Sequence, residues 1–219
     1  MSLRSSCAAL LAGAAWHACA AVHPPEPVFE PETASSDVRF AEKWVRDHDD
    51  NHGRPYAIVD KKTAHIYVHA ADGRLVGSSA VLTGLARGDE SAPGIGQRPV
   101  NQIRPFERTT PAGRFDSQPG RTPTGEANVW IDYDTALAIH RLRPGRSQPR
   151  RQAALASTDP AAHRQSYGCV VVPPAFFDGV VMGALGRARG VVYVLPEDRP
   201  VETIFQQTLA DAAPRKRPL

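Results

Sequence analysis

Three cysteines and eight histidines are the side chains of this sequence best suited to nucleophilic or proton-transfer chemistry. Cys169 lies in the segment Ser166-Tyr167-Gly168-Cys169-Val170. The thiolate is the nucleophilic form of cysteine, and a free thiol is only a few per cent ionised near pH 7, so a reactive cysteine needs a base beside it. Attack on a carbonyl also creates an oxyanion that needs donors. Gly168 permits close approach of a substrate carbonyl to the backbone, and the N–H groups around Gly168 and Cys169 are candidate oxyanion donors. On the Gly-Cys pair alone, a buried inert cysteine is an equal reading.

The histidines differ in what their neighbours allow. His48 and His52 stand among acids after a helical pattern, with no cysteine or fixed spacing to make a metal site. His65 and His69 are four apart in an alternating segment, which separates them by roughly 13 Å on a strand at ~3.3 Å per residue, too far for one ion. His163 is near Cys169 in sequence, on a polar stretch. His140 ends the apolar run Leu137-Ala138-Ile139, so a buried strand can hold its ring rigidly at a cleft. No metal or organic cofactor is expected.

The surrounding pattern supplies elements to position these groups. Ser36 is placed to cap a helix over about 37–47, with Val38, Ala41, Trp44 and Val45 on its apolar face. Strands are expected at 56–60, 65–69 and 75–82, with Ala71-Asp72-Gly73 as a hairpin turn. Residues 85–108 read as a long loop, of a length often tied to function. Thr109 to Phe115 leads into a short strand, and 128–132 and 135–140 are further strands. Residues 141–165 form a basic excursion with a short helix near 151–156. Pro173-Pro174 opens a helix with the stripe Phe176, Phe177, Val180, Val181, Ala184 and Leu185. A strand at 191–195 and a helix through Val201, Ile204, Phe205 and Leu209 follow. The whole reads as mainly β with flanking helices, and 219 residues suffice for one substantial core.

Residues 1–20 have the pattern of an export signal: Arg4, an apolar run from Cys7 to Ala15, and Ala18-Cys19-Ala20 as a cleavage site. The stretch is too short to span a membrane, and no stable span is expected after cleavage. Cleavage after Ala20 leaves Cys169 as the one thiol, which in an oxidising compartment is a liability unless buried or used. Lipidation at Cys19 and an uncleaved terminus are the alternatives. The formal charge of +3 becomes 25 basic against 23 acidic residues once Arg4 is removed, so net charge says little about partners. Clustering says more. Arg141, Arg143, Arg146, Arg150 and Arg151 crowd one stretch, which suits an anionic wall polymer better than nucleic acid behind an export signal; a solvated face is the plain alternative.

Four segments, in order, resemble the L,D-transpeptidase catalytic domain (YkuD-like) of bacterial cell-wall enzymes. They are Tyr56-Ala57-Ile58-Val59-Asp60 with its hairpin, Thr110-Pro111-Ala112-Gly113-Arg114-Phe115, Ile139-His140, and Ser166 to Val170. The resemblance implies a β-sandwich or barrel over 55–196. Outside it, composition and periodicity divide the chain into a signal (1–20), a Pro/Glu-rich linker (21–36), a helix and connector (37–54), and a C-terminal helix with a basic tail (197–219). The resemblance implies Cys169 as nucleophile, His140 as base, the Arg141 carbonyl orienting the ring, and Ser166, Tyr167 and Gly168 shaping the nucleophile turn. Peptidoglycan stem peptides would be the substrate, in the periplasm or cell wall. The chain departs from the family at Tyr167, where the family has histidine, and at Val171-Val172, where it has Arg or Asn. The insert between His140 and Cys169 is longer than usual, and Arg143, Arg146, Arg150 or Arg151 is expected to supply the missing charge. A hydrolase of the same fold and a non-catalytic wall-binding module are the rival readings.

Overall fold

The computed structural model describes residues 34–206. The expected export signal with Cys7 and Cys19, most of the expected linker, Leu209 and the basic C-terminal segment lie outside them.

Helix α1 (Ser36–His48) is capped by Ser35, one residue before the expected cap. The Ser35 hydroxyl accepts from the Val38 N–H and itself donates to Asp60, so the cap also ties the helix to the sheet. Asp49, left-handed at φ 49°, ends the helix.

Ten strands follow: β1 (Tyr56–Asp60), β2 (His65–His69), β3 (Leu75–Ala80), β4 (Thr83–Gly84), β5 (Gly113–Arg121), β6 (Ala127–Asp132), β7 (Leu137–Arg141), β8 (Arg164–Ser166), β9 (Val170–Val172) and β10 (Gly190–Val194). Eight form one sheet in the order β3-β2-β1-β10-β5-β6-β7-β9. β5 is far longer than the short strand expected. Its first half pairs with β10 and its second half, Gln118 to Arg121, with β6, so one strand joins two halves of a sandwich. Leu82 bridges Val171 just past the end of β3, bringing the two outer strands together into a nearly closed sheet. Pairs β1–β10 and β7–β9 are parallel.

The alternation within strands buries two faces. Ala57, Val59, Ile66, Val68, Val192 and Val194 point into the main core. There they meet Phe176, Phe177, Val181 and Leu185 from the helical run after Pro173, which is interrupted by a π-helical turn at Phe177–Val181. On the opposite face Tyr56, Ile58, Tyr67, Val191 and Tyr193 pack beneath α1 and against Val201, Ile204 and Phe205. β1 and β10 are therefore buried on both sides, which explains their unbroken apolar character.

The long segment between β4 and β5 carries only short 3-10 turns, and its root is fixed by a buried lysine. Lys61 donates to Asp89 (2.8 Å), to the Gly88 carbonyl (2.7 Å) and to the Thr110 carbonyl (2.9 Å). Asp89 in turn accepts from the N–H groups of Glu197 and Asp198. This ion pair holds the loop to the sheet on the side where Cys169 lies. Helix α2 (Gln148–Leu155) forms within the basic excursion, starting earlier than expected.

Candidate active site

Cys169 stands immediately before β9, and His140 is the fourth residue of β7. The parallel register sets Ile139 beside Val170 and His140 beside Val171. Side chains two apart on a strand share a face, so His140 and Cys169 emerge on the same side of neighbouring strands, offset diagonally.

The orientation of each group is set locally. His140 Nδ1 lies 2.8 Å from the Arg141 carbonyl oxygen. A carbonyl only accepts, so Nδ1 carries the proton and Nε2 keeps its lone pair. Burial pushes the His140 pKa down to about 4, the charges of Arg143 and Arg151 adding to that and the Arg141 carbonyl opposing it. The ring is therefore neutral at pH 7.

The Cys169 thiol faces the Ala136 carbonyl oxygen at 3.5 Å. Burial of the sulfur raises its pKa; the N–H groups of Ala138 and Cys169 and the charges of Arg143 and Arg151 pull it back in part. At rest the thiol and the imidazole are each held in the neutral form. Ala136 is left-handed, at φ 53°, in the turn that precedes β7. The strand expected from 135 begins only at Leu137, because this turn diverts the chain and points a carbonyl at the sulfur.

The nucleophile turn is braced from two sides. Gly168 has φ 132°, and a β-carbon there would sit 2.9 Å from the Thr109 carbonyl oxygen, so only glycine fits. Thr110 donates to the Gly168 carbonyl (2.6 Å) and accepts from the Gly84 N–H (2.8 Å). Ser166 donates to the Cys169 carbonyl (2.6 Å) and accepts from the Gly168 N–H (3.1 Å). The Gly168 N–H is thereby occupied, which corrects the expectation that it receives an oxyanion; the N–H groups at the sulfur are those of Cys169 and Ala138. Thr110 takes part in the site through its hydroxyl, a contact that its Thr-Pro segment does not reveal in the sequence. Ala136 carries no sequence signal at all.

Tyr167 is 43% exposed, and the guanidinium of Arg108 stacks over its ring at 3.9 Å. Together with Ser91, Ile95 and Thr109 it walls a crevice of about 20 Å³ above Cys169, the size of one water molecule. Gly96 lets the loop close this crevice, since a β-carbon there would meet the Asp134 carbonyl oxygen at 2.4 Å. A broader hollow of about 650 Å³ opens beyond the other end of β7, lined by Arg121, Glu126, Arg141, Pro144 and Gln148.

His163 is not available as a base. It is 3% exposed, with its ring nitrogens 2.9 Å and 3.0 Å from the carbonyls of Val81 and Ser157. His48 stacks on Trp44, and His69 stacks on Tyr56 beneath α1. The arginines of the excursion separate. Arg143 pairs with Glu126 (2.7 Å) and Arg150 with Gln165 (3.0 Å). Arg146 is exposed, while Arg151 is half-buried with its Nε lacking a partner among the described residues. Arg141 turns its side chain to Asp178 (3.1 Å).

No protein-family model matches the chain, and no curated protein matches it in sequence. Solved structures do match. L,D-transpeptidase catalytic domains are among its structural neighbours. The avibactam carbamoyl enzyme of Ldtfm is 21% identical over 65% of this chain and 49% of its own, with a TM-score of 0.38. The L,D-transpeptidase of Xylanimonas cellulosilytica is 18% identical over 64% and 60%, with a TM-score of 0.39. The helical cell shape determining protein Pgp2 of Campylobacter jejuni is 14% identical over 72% and 56%, with a TM-score of 0.45. The chain thus spans about half to three-fifths of these structures. Among the described residues, no helix is long and apolar enough to cross a membrane.

Proposed function

We propose that this protein is a cysteine-dependent acyltransferase acting on peptidoglycan stem peptides, an L,D-transpeptidase of the exported cell-wall compartment. The observation that carries the reading is the pairing of β7 with β9, which sets His140, with its Nε2 lone pair free, on the same face as the Cys169 thiol.

Cys169 Sγ attacks the carbonyl between the third residue of a stem and its terminal D-alanine, and the thiol proton passes to His140 Nε2. A tetrahedral oxyanion forms, for which the Cys169 N–H is the nearest donor. The C–N bond then breaks, the proton returns from Nε2 to the departing amine, and D-alanine leaves. A thioester to Cys169 remains. An amine of a second stem attacks it, loses its proton to His140, and expels the thiolate, which is reprotonated. The balance needs no metal or organic cofactor.

Water in place of the amine makes the protein a carboxypeptidase, and the one-water crevice over Cys169 is the observation favouring that second reading. Purified protein incubated with defined tetrapeptide muropeptides separates them. Cross-linked dimers support transfer, trimmed monomers support hydrolysis, and unchanged substrate with unreactive Cys169 supports a non-catalytic module.

A further inference from the structure

The basic excursion is ordered against the catalytic strands in a specific way. Ala154 of α2 packs into a small cluster with Leu82, Leu142 and Val171. Val171 lies beside His140 in the register, and Leu142 and Val171 are each two residues along from His140 and Cys169. The face of α2 that carries Ala154 therefore covers the sheet face that carries the dyad. Arg151 is three residues before Ala154, on that same helical face and one turn nearer the start of the helix.

Its charge has no counterpart among the described residues. The Arg151 side chain makes no hydrogen bond or ion pair there, and its Nε is buried without a partner. A buried guanidinium N–H left without an acceptor is costly, even on a side chain that is otherwise half-exposed. The neighbouring arginines increase the excess, since Arg143 has a single carboxylate, Glu126, and Arg150 has only the neutral Gln165. The start of α2 adds further positive potential, because Ser147 makes no side-chain cap and the first turn contains no acid. Burial and the charges of Arg143 and Arg150 press the Arg151 pKa down, and the favourable interaction opposing them is with Cys169.

We infer that Arg151 is a carboxylate receptor beside the Cys169 thiol, selecting acyl donors that carry a free carboxylate next to the scissile carbonyl over their amidated counterparts. This rests on the proposed role of Cys169 and makes Arg151 a specificity residue for it.

The test uses two alkylating agents that deliver the same carbon to sulfur and differ in charge. With iodoacetate and with iodoacetamide, the thiolate forms an S–C bond, iodide departs, and the thiol proton goes to His140 or solvent. Alkylation of Cys169 in the full chain is followed by mass spectrometry of its peptide, and the rate ratio of iodoacetate to iodoacetamide is compared with that of free cysteine. The ratio in the protein is expected to exceed the free value by about tenfold, the scale of a charge-assisted hydrogen bond. It should fall to the free value in Arg151→Gln and stay high in Arg146→Gln. A wild-type ratio equal to that of free cysteine overturns the inference, whatever the variants do. So does an unchanged ratio in Arg151→Gln, or an equal fall in Arg146→Gln, which would mean a diffuse field. Should Arg151→Gln not fold, the wild-type ratio and its decline with added salt decide. Loss of stem-peptide transfer with the anion preference intact would instead sink the transpeptidase reading alone, and transfer without the preference would sink the receptor alone.

Discussion

At the scale of single residues, the site is organised by what is already hydrogen-bonded. The Arg141 carbonyl fixes the tautomer of His140, and burial holds its pKa at about 4. If His140 is the base proposed above, it stays unprotonated through mildly acid conditions. The acid limb of kcat/KM for stem-peptide turnover is therefore expected near pH 4, well below an ordinary histidine; a limb at pH 6.5 would show the ring to be solvated in the working enzyme. Thr110 is the second residue whose removal is informative. Thr110→Val strands the Gly168 carbonyl and the Gly84 N–H together, and should lower stability by about 1–3 kcal/mol in urea unfolding and slow alkylation of Cys169. Cys169 and His140 stand out in the sequence as candidates, because a Gly-Cys pair and a histidine closing an apolar run each leave a local mark. Ala136 could not, since its part comes from a backbone carbonyl and a left-handed turn that any small residue would disguise. The engagement of the Gly168 N–H was equally hidden, being a contact with a serine hydroxyl two residues away whose rotamer no sequence specifies.

At the scale of elements, the decisive feature is the root of the long loop. Lys61 was legible only as part of a Lys-Lys-Thr turn; its burial at 2% exposure and its partners Asp89 and Thr110 come from residues far along the chain. Lys61→Met removes the nearest cation of buried Asp89, while Glu197 keeps Arg164, and should cost about 3–5 kcal/mol, measured by urea unfolding. If Lys61→Met is as stable as the parent, the loop is held by other contacts. The strands with alternating or continuous apolar residues were readable for the same reason that they are buried: their period matches the sheet. β4, β8 and β9 were not, as two- and three-residue strands are too short to show a period and exist because neighbours pair with them. The length of β5 was concealed by Pro119 and Gly120, which a strand tolerates where it passes from one half of the sandwich to the other.

At the scale of the whole molecule, two histidines are held neutral by the fold. His69, buried beneath α1, and His140 both have pKa values pushed by burial to about 4. In the unfolded chain they titrate near 6.5, so between roughly pH 6.5 and pH 4 the unfolded state binds more protons and stability falls with acid. The fully buried His69 alone is worth on the order of 3 kcal/mol over that window. The urea midpoint should therefore drop between pH 7 and pH 4.5, less steeply in His69→Gln; a flat midpoint would mean that both rings are protonated in the fold. The same closed sheet that buries these rings brings β7 against β9, and the proposed chemistry depends on that one pairing. The most direct test is the intact mass of the protein after brief incubation with a tetrapeptide stem. An adduct equal to the stem minus D-alanine is expected, located on the Cys169 peptide, released by hydroxylamine and absent in Cys169→Ala. An adduct on another residue, or D-alanine released by Cys169→Ala at the parent rate, would contradict that chemistry.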